Sequence, residues 1–188
     1  VAHADVFGGW GNHAAHNTIR LLTRPVNSAK LEQYPWGYGT TALANYVTYA
    51  RLHTQLFPYI YTYAKEASTT GLPLIRPEVL LNQTDAGTFG IQHTFYFGKE
   101  LLVAPMNAAT STTRTVYLPA GNWYDYWTNA KYVGGQNLSW SNTDTTKMPL
   151  FVRESAIVPM LANVPQTLCD ANYVNNPAIT TMDSALQF

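Results

Sequence analysis

Apolar side chains recur at steps of three and four residues from Thr41 onward, and this spacing lines one face of an α-helix. The residues that set the period are Leu43, Tyr46, Val47, Ala50, Phe57, Ile60, Tyr61 and Ala64. Gly71 stands where a left-handed C-cap would end the helix, and Pro73 cannot continue it. The pattern therefore predicts a long helix that ends near residue 70.

Pro58 falls inside this helical pattern, where a proline removes one backbone hydrogen bond and costs about 3 kcal/mol. We therefore expect either a kink at Phe57 or two helices that meet there. The aromatic residues on both sides of the proline indicate burial on more than one side, as for an outer helix of a large layered domain.

Beyond Gly71 the pattern changes to short β-branched or aromatic runs that are separated by turn residues. The predicted strands are IQHTFYFG (91–98), LLVAPM (101–106), TRTVYLP (113–119), NWYDYW (122–127), KYVGG (131–135), PLFVRE (149–154) and AIVPML (156–161). Short strands at this spacing are typical of an antiparallel sandwich. The change of pattern predicts a boundary between residues 71 and 90, and the stretch from Ala162 is either a linker or the start of a further element.

The amino-acid composition argues against two classes of binding partner. Only 12% of the 188 residues are charged, with 11 basic and 11 acidic side chains and no basic run, so the chain lacks the charge pattern of proteins that bind nucleic acid or an anionic membrane. No apolar run has the length of a membrane span, and the first ten residues do not resemble a signal peptide. Because the chain opens directly on a strand-like piece, we expect it to be part of a longer protein.

Cysteine and histidine indicate neither a metal nor a cofactor. Cys169 is the only cysteine of the sequence, and His13 and His16 have no carboxylate or third histidine near them that would complete a metal site. No cofactor is expected. Two N-glycosylation sequons, at Asn82 and Asn137, are the one indication of localisation, and they favour secretion or the lumen of the secretory pathway.

Six blocks of sequence, in this order, resemble glycoside hydrolase family 31, the family of α-glucosidases, α-xylosidases and related α-glucan enzymes. The blocks are DVFGGW (5–10), PWGYG (35–39), LFPYIYTYAKEASTTGLPLIRP (56–77), FYFGKELLVAPM (95–106), TVYLPAGNWYDYWTNAKYVGG (115–135) and MPLFVRESAIVPML (148–161). The resemblance implies an α/β part followed by an all-β part: the C-terminal end of a (β/α)8 barrel that leads into an antiparallel β-sandwich. It divides the chain into the end of the barrel (1–75), the proximal C-terminal sandwich (76–161) and a linker or further element (162–188).

The chemistry that this resemblance implies is retaining hydrolysis or transfer of α-glycosidic bonds by two carboxylates. Both catalytic aspartates of the family lie upstream of the block that DVFGGW resembles, so no catalytic residue is expected in this chain, and residues 1–188 alone are expected to be inactive. The implied partners are the rest of the catalytic barrel and an α-glucoside or oligosaccharide substrate.

Substrate contacts are expected in the first 38 residues. The resemblance puts Asp5 at a C-terminal strand end of the barrel, where active sites of this fold collect; its alternative role is to accept hydrogen bonds from the Gly8 and Gly9 amides. Aromatic rings can cover the apolar face of a hexose, so Trp10, Trp36 and Tyr38 are candidates to line the pocket, with packing in the core as the alternative.

One departure from the family concerns its Arg-x-His element, whose histidine bonds sugar hydroxyls. The matching place here reads RLLTRPVN, without a histidine in register, and His16 or Arg24 would have to supply that contact. This departure favours one alternative, a non-catalytic carbohydrate-binding or structural relative that retained the scaffold. The other alternative is an independent β-sandwich that acts as an interaction module with a helical preface, and the open strand edges of an incomplete barrel argue against it.

Two junction residues carry predictions of their own. Arg76 follows the helix C-cap and precedes a proline, so its guanidinium is expected to bond carbonyls or a carboxylate where the helix meets the sandwich, and not the sugar. In RESAIVP the family usually has glycines, so Glu154 and Ser155 must form that turn.

Overall fold

The computed structural model describes residues 40–106, 113–141, 144, 146–163 and 186–187. Within this part of the chain two helices are followed by an antiparallel sheet. None of the helices in the described ranges has the length and apolar character that crossing a bilayer requires.

The predicted helix consists of two helices, α1 (Thr40–Gln55) and α2 (Phe57–Thr70), so the second of the two alternatives for Pro58 holds. The proline lies in the first turn of α2, where its missing N–H group would have had no partner in the helix. Hydrogen bonds from Leu56 N to Leu52 O (2.9 Å) and from Ile60 N to Leu56 O (2.8 Å) carry the ladder through the bend. Gly71 ends α2 in the left-handed conformation with φ 76°, as predicted.

The remaining elements are short. They are β1 (Ile75–Pro77), the helix α3 (Glu78–Leu81), a 3-10 turn at Ala86–Thr88, β2 (Phe95–Phe97), β3 (Leu101–Val103), β4 (Thr113–Leu118), β5 (Asn122–Asp125), β6 (Lys131–Val133), β7 (Gln136–Ser141), β8 (Leu150–Arg153), β9 (Met160–Leu161) and β10 (Leu186–Gln187). The predicted strand at 156–161 is reduced to β9, and β1 and β7 were missed because each has few apolar residues.

All pairings among the described strands are antiparallel, which confirms the predicted all-β half of the fold. The main sheet has six strands in the order β1-β2-β3-β8-β5-β6, and β4 pairs with β7 in a separate two-stranded ribbon. A barrel end before Thr40 lies outside the described residues and stays a prediction.

Alternate residues of each strand point to opposite faces of the six-stranded sheet, and both faces carry a cluster of buried side chains. One face packs against the helices, in a cluster built from Tyr49, Leu52, Leu56, Tyr59, Tyr63, Phe97, Leu101, Val103, Met148 and Leu150. The other packs against the β4–β7 ribbon through Tyr96, Leu102, Ala104, Val116, Leu118, Trp123, Trp140 and Phe151. The described part of the chain therefore has three layers, with the sheet between the helices and the ribbon.

The turn after β8 follows the prediction for Glu154 and Ser155. Ser155 has φ 62°, a left-handed conformation that favours glycine, and Glu154 N donates to Asn122 O (2.9 Å). The turn is therefore closed without the glycines that are usual in the family.

Candidate functional site: the junction of helices and sheet

The six residues predicted to contact substrate lie outside the described residues. They are Asp5, Trp10, His16, Arg24, Trp36 and Tyr38. Their roles stay predictions. Thr40 begins α1 directly after this segment, so the described elements are those that follow it in the chain and anchor the helices on the sheet.

Arg76 is the centre of the junction. It lies in β1, its side chain is fully buried, and its Nε donates to Pro73 O (2.6 Å) while Nη2 donates to Glu66 Oε2 on α2 (2.8 Å). The guanidinium also lies over the Tyr63 ring, 5.1 Å from the centroid. The predicted bonding to a carbonyl and a carboxylate is confirmed, and it joins α2 to the first strand of the sheet.

Glu66 receives a second cation. Lys99 Nζ lies 2.7 Å from Glu66 Oε1, and this ion pair is exposed, whereas the Arg76 side of the carboxylate faces the interior. Lys99 and then Arg76 hold the pKa of Glu66 below its usual range through their hydrogen bonds. Glu66 therefore stays charged at neutral pH, as its pairing with the buried guanidinium requires.

Two tyrosines of α2 meet the turn between β2 and β3. Tyr59 Oη donates to Phe97 O (2.6 Å) and also lies 2.8 Å from Glu100 Oε2, which accepts a hydrogen bond from Tyr63 Oη as well. Gly98 has φ 71°, and a Cβ at this position would overlap the Tyr59 hydroxyl. Burial, followed by the interactions with Glu100, raises the pKa of Tyr59, so the hydroxyl stays a donor.

Helix α1 has its own contact with the sheet. Tyr49 Oη donates to Thr146 O (2.9 Å) and accepts from Met148 N (3.1 Å), and its ring meets Trp127 edge to face at 6.0 Å. Burial raises the pKa of Tyr49, which keeps the hydroxyl protonated. Tyr59 thus ties α2 to β2, and Tyr49 ties α1 to the segment that leads into β8.

Asp125, at the end of β5, ties the sheet to the ribbon. Its Oδ1 accepts from the amides of Trp127 (2.8 Å) and Thr128 (2.9 Å), and its Oδ2 accepts from Trp140 Nε1 on β7 (2.9 Å). Sequence reasoning missed this role. The signal was an aspartate followed by turn residues, because such a side chain bonds the amides two and three residues on.

Glu78 on α3 is buried and Arg114 on β4 is partly buried, and both have side-chain atoms without a hydrogen-bond partner. Glu78 is 1% exposed, and both of its carboxylate oxygens lack a hydrogen-bond partner, as does Arg114 Nη1. Burial raises the pKa of Glu78 to about 8, with Arg114 opposing the rise and Asp85 adding to it. Burial lowers the pKa of Arg114 to about 10, and Glu78 opposes that shift. The sequence held no signal for this burial, since glutamate is rarely inside a protein.

The described side chains therefore anchor and position structural elements. Within the described ranges no group of His, Cys, Asp and Glu could hold a metal ion. Tyr49, Tyr59 and Arg76 bond to backbone carbonyls, a backbone amide and a carboxylate across the layers, which fixes how α1 and α2 lie on the sheet.

Residues 71–158 match the family described as the glycosyl hydrolase family 31 C-terminal domain. Among curated proteins, the chain is 34% identical over 181 residues to a 1,6-alpha-glucosyltransferase of Sporosarcina globispora, a match that covers 95% of this chain and 13% of that protein. It is 33% identical over 160 residues to alpha-glucosidase 2 of Bacillus thermoamyloliquefaciens, covering 78% of this chain and 20% of the relative.

Solved structures of two enzymes are also similar to a large part of this chain. A Flavobacterium johnsoniae GH31 dextranase complexed with glucose superposes with a TM-score of 0.66 and 38% identity, over 73% of this chain and 16% of the dextranase. The cycloalternan-forming enzyme from Listeria monocytogenes gives a TM-score of 0.68 and 26% identity, over 80% and 16% of the two chains. The chain spans between 12% and 21% of the length of the curated relatives it matches.

Proposed function

Because this chain belongs to glycosyl hydrolase family 31, we propose that it is the C-terminal part of a retaining α-glycosidase that acts on α-linked glucosides or α-glucans. The observation that carries the proposal is the match to a 1,6-alpha-glucosyltransferase, which extends over 95% of the chain. That match is not confined to the sandwich, so it favours common descent of the barrel segment and the sandwich as one unit.

In this proposal residues 1–75 complete the catalytic barrel, residues 76–161 form the proximal sandwich, and residues 162–188 are a linker or the start of a further element. The catalytic carboxylates belong to sequence upstream of residue 1, and the rest of the barrel is the first partner of this chain. The ion pair between buried Arg76 and partly exposed Glu66 lies at the junction of the first two parts, where it fastens α2 to β1.

The proposed reaction is a double displacement. One upstream carboxylate attacks the anomeric carbon while a second donates a proton to the leaving oxygen; water or a sugar hydroxyl then displaces the first carboxylate, with the second now acting as base. This chain's contribution is to bind and orient the sugar. The residues proposed for it are Asp5, Trp10, His16, Arg24, Trp36 and Tyr38.

The test is to assay the complete protein on maltose, isomaltose and a chromogenic α-glucoside. The glucose that is first released from the chromogenic α-glucoside is followed by proton NMR. Retention requires that the α-anomer appears first. A β-anomer would overturn the retaining mechanism. Sugar binding measured by calorimetry without any turnover would favour the non-catalytic relative, the alternative that the missing Arg-x-His element supports. If the protein neither binds nor turns over these sugars, α-glucosides are not its ligand.

Asp5→Asn in the complete protein is expected to lower kcat/KM on an α-glucoside about 10- to 100-fold, because hydrogen bonds to a charged group contribute about 1.5 to 3 kcal/mol. The melting temperature should change much less. The measurement is a paired assay of turnover and thermal unfolding.

Asp85→Asn is the matched control, since Asp85 Oδ1 accepts from Tyr117 Oη (2.8 Å) and Gly87 N (3.0 Å) within the sandwich. It should lower the melting temperature and leave kcat/KM near that of the wild type. Robust turnover that survives Asp5→Asn would remove Asp5 from the site and leave the aromatic residues as candidates.

A further inference from the structure

The two sequons of this chain occupy different environments. Asn82 caps the end of α3, and its Nδ2 donates to Glu78 O (3.0 Å) and to Tyr96 Oη (3.1 Å). A side-chain amide nitrogen has two hydrogens, so both are in use. Tyr96 is fully buried, and its hydroxyl also accepts from Arg153 Nη2 (3.0 Å). The Asn82 amide is therefore part of the structure that joins α3 to β2 and β8.

A glycan on Asn82 is incompatible with these bonds. N-glycosylation replaces one Nδ2 hydrogen by a sugar carbon, so the Asn82 side chain would lose its hydrogen bond either to the Glu78 carbonyl or to the Tyr96 hydroxyl. The sugar would also have to lie where that acceptor lies, against a tyrosine with no exposed surface. Arg153 would still donate to the Tyr96 hydroxyl, so the lost bond itself costs about 0.5 to 1.5 kcal/mol, and the steric conflict adds to that cost.

Asn137 presents the opposite situation. It lies in β7, where the period of two puts Asn137 and Ser139 on the outer face of the ribbon and Leu138 on the inner face, against the core. Asn137 and Ser139 are both exposed. Tyr117 is the direct cross-strand neighbour of Asn137, and its hydroxyl is held by Asp85 at 2.8 Å. The ring thus offers apolar surface beside the place where a first sugar would sit.

We propose that Asn137 is the N-glycan acceptor of this chain and that Asn82 stays unmodified in the folded protein, its amide serving to lock α3 against the sheet. The biological use of Asn137 rests on the proposed passage through a secretory compartment. In the reaction, the Asn137 amide nitrogen forms a bond to C1 of a polyprenyl-pyrophosphate-linked oligosaccharide. The bond from C1 to the phosphate oxygen breaks, the lipid pyrophosphate leaves with the electron pair, and the amide loses one proton to a base of the transferase.

The experiment is to secrete the complete protein from a eukaryotic host and to map occupied sites by releasing glycans with an amidase in heavy-oxygen water, followed by peptide mass spectrometry. Full or nearly full occupancy is expected at Asn137 and none at Asn82. Asn137→Gln and Ser139→Ala should each remove that glycan. A glycan on Asn82 in the secreted, folded protein, or a bare Asn137, would overturn the proposal.

Thr84→Ala is the matched control, because it destroys the Asn82 sequon at an exposed position without touching the Asn82 amide. It should leave both the glycan mass and the melting temperature unchanged, whereas Asn82→Gln should keep the Asn137 glycan and lower the melting temperature. A loss of glycan mass in Thr84→Ala would contradict the proposal. A glycan on the host-secreted protein that is absent from protein of the native source would refute the secretory localisation alone.

Discussion

Replacing Arg76 by alanine in the complete protein is expected to lower the free energy of unfolding of the sandwich by about 3 kcal/mol, since the loss of one partner of a buried ion pair typically costs about 3 to 5 kcal/mol. The lower end applies because Glu66 keeps Lys99 as a partner. The bond to the Pro73 carbonyl and the contact with the Tyr63 ring are lost at the same time. Under the proposed function, KM for an α-glucoside should stay near that of the wild type, because the buried Arg76 side chain bonds Pro73 O and Glu66.

The measurement combines the denaturant midpoint with hydrogen exchange of peptides from α2 and β1, which should lose protection first. Lys99→Ala is the control: its ion pair to the same carboxylate is exposed, so the loss should stay below about 1 kcal/mol. Arg76→Lys should recover only part of the stability, because an ammonium cannot reproduce the planar fork that reaches both Pro73 O and Glu66. A large change in KM with unchanged melting would overturn the structural role of Arg76.

Glu78→Gln is expected to stabilise the protein at pH 8 and above by up to about 5 kcal/mol, since the pKa rises from 4.5 to about 8 and one pKa unit corresponds to about 1.4 kcal/mol. In the folded state the pKa of Glu78 is about 8, against 4.5 for an ordinary glutamate. The folded protein therefore holds a proton that the unfolded chain releases, and stability falls as the pH rises from about 4.5 to about 8. Glutamine keeps the shape and has no proton to lose, so the variant should not show this fall.

The measurement is the melting temperature of both proteins from pH 5 to pH 9. Their curves should lie close together at pH 5 and diverge as the pH rises. Arg114 and Asp85 face Glu78 and are unchanged in the variant, so the difference between the curves isolates Glu78. Glu154→Gln serves as the control, because Glu154 is exposed, and its bonds to Lys131 and Asn122 lower its pKa. Parallel curves for wild type and Glu78→Gln would contradict the prediction.

Much of the fold could be read from local patterns. The step of three to four residues predicted α1 and α2, and the position of Pro58 predicted their meeting point, because a proline is tolerated in the first turn of a helix and hardly anywhere later. Gly71 marked the end of α2 for a similarly local reason. The strands β2, β3, β4, β5, β6 and β8 all lie within predicted runs.

The missed strands had no local signal. β1 contains a proline and an arginine, and β7 has only Leu138 and Trp140 as apolar residues. Both are strands because of their partners. β7 pairs with β4 over six residues, and β1 lies at the edge of the sheet beside β2, where a proline does not interrupt the ladder.

Among the polar contacts, too, some could be predicted from the sequence and others could not. The position of Arg76 between a helix C-cap and a proline predicted a structural role, and the structure supplied its acceptors, Pro73 O and Glu66. Nothing local distinguished Glu78 from an exposed glutamate, or Asn82 from Asn137 as an acceptor in a sequon. The substrate contacts predicted at Asp5 and in the aromatic loop lie outside the described residues and remain predictions.

What the sequence determined by itself are the features that depend on neighbours within a turn or a strand: a helical pattern interrupted at Pro58, a left-handed end at Gly71, an antiparallel all-β half, and six ordered blocks that identify the family. The tertiary structure alone decided which polar side chains are buried and which groups they form hydrogen bonds with. Asn82 and Tyr96, or Tyr49 and Met148, are brought together by the packing of distant segments. Hydrogen bonds and pKa shifts act over a few ångströms of space, so residues far apart along the chain acquire them only when the layers close.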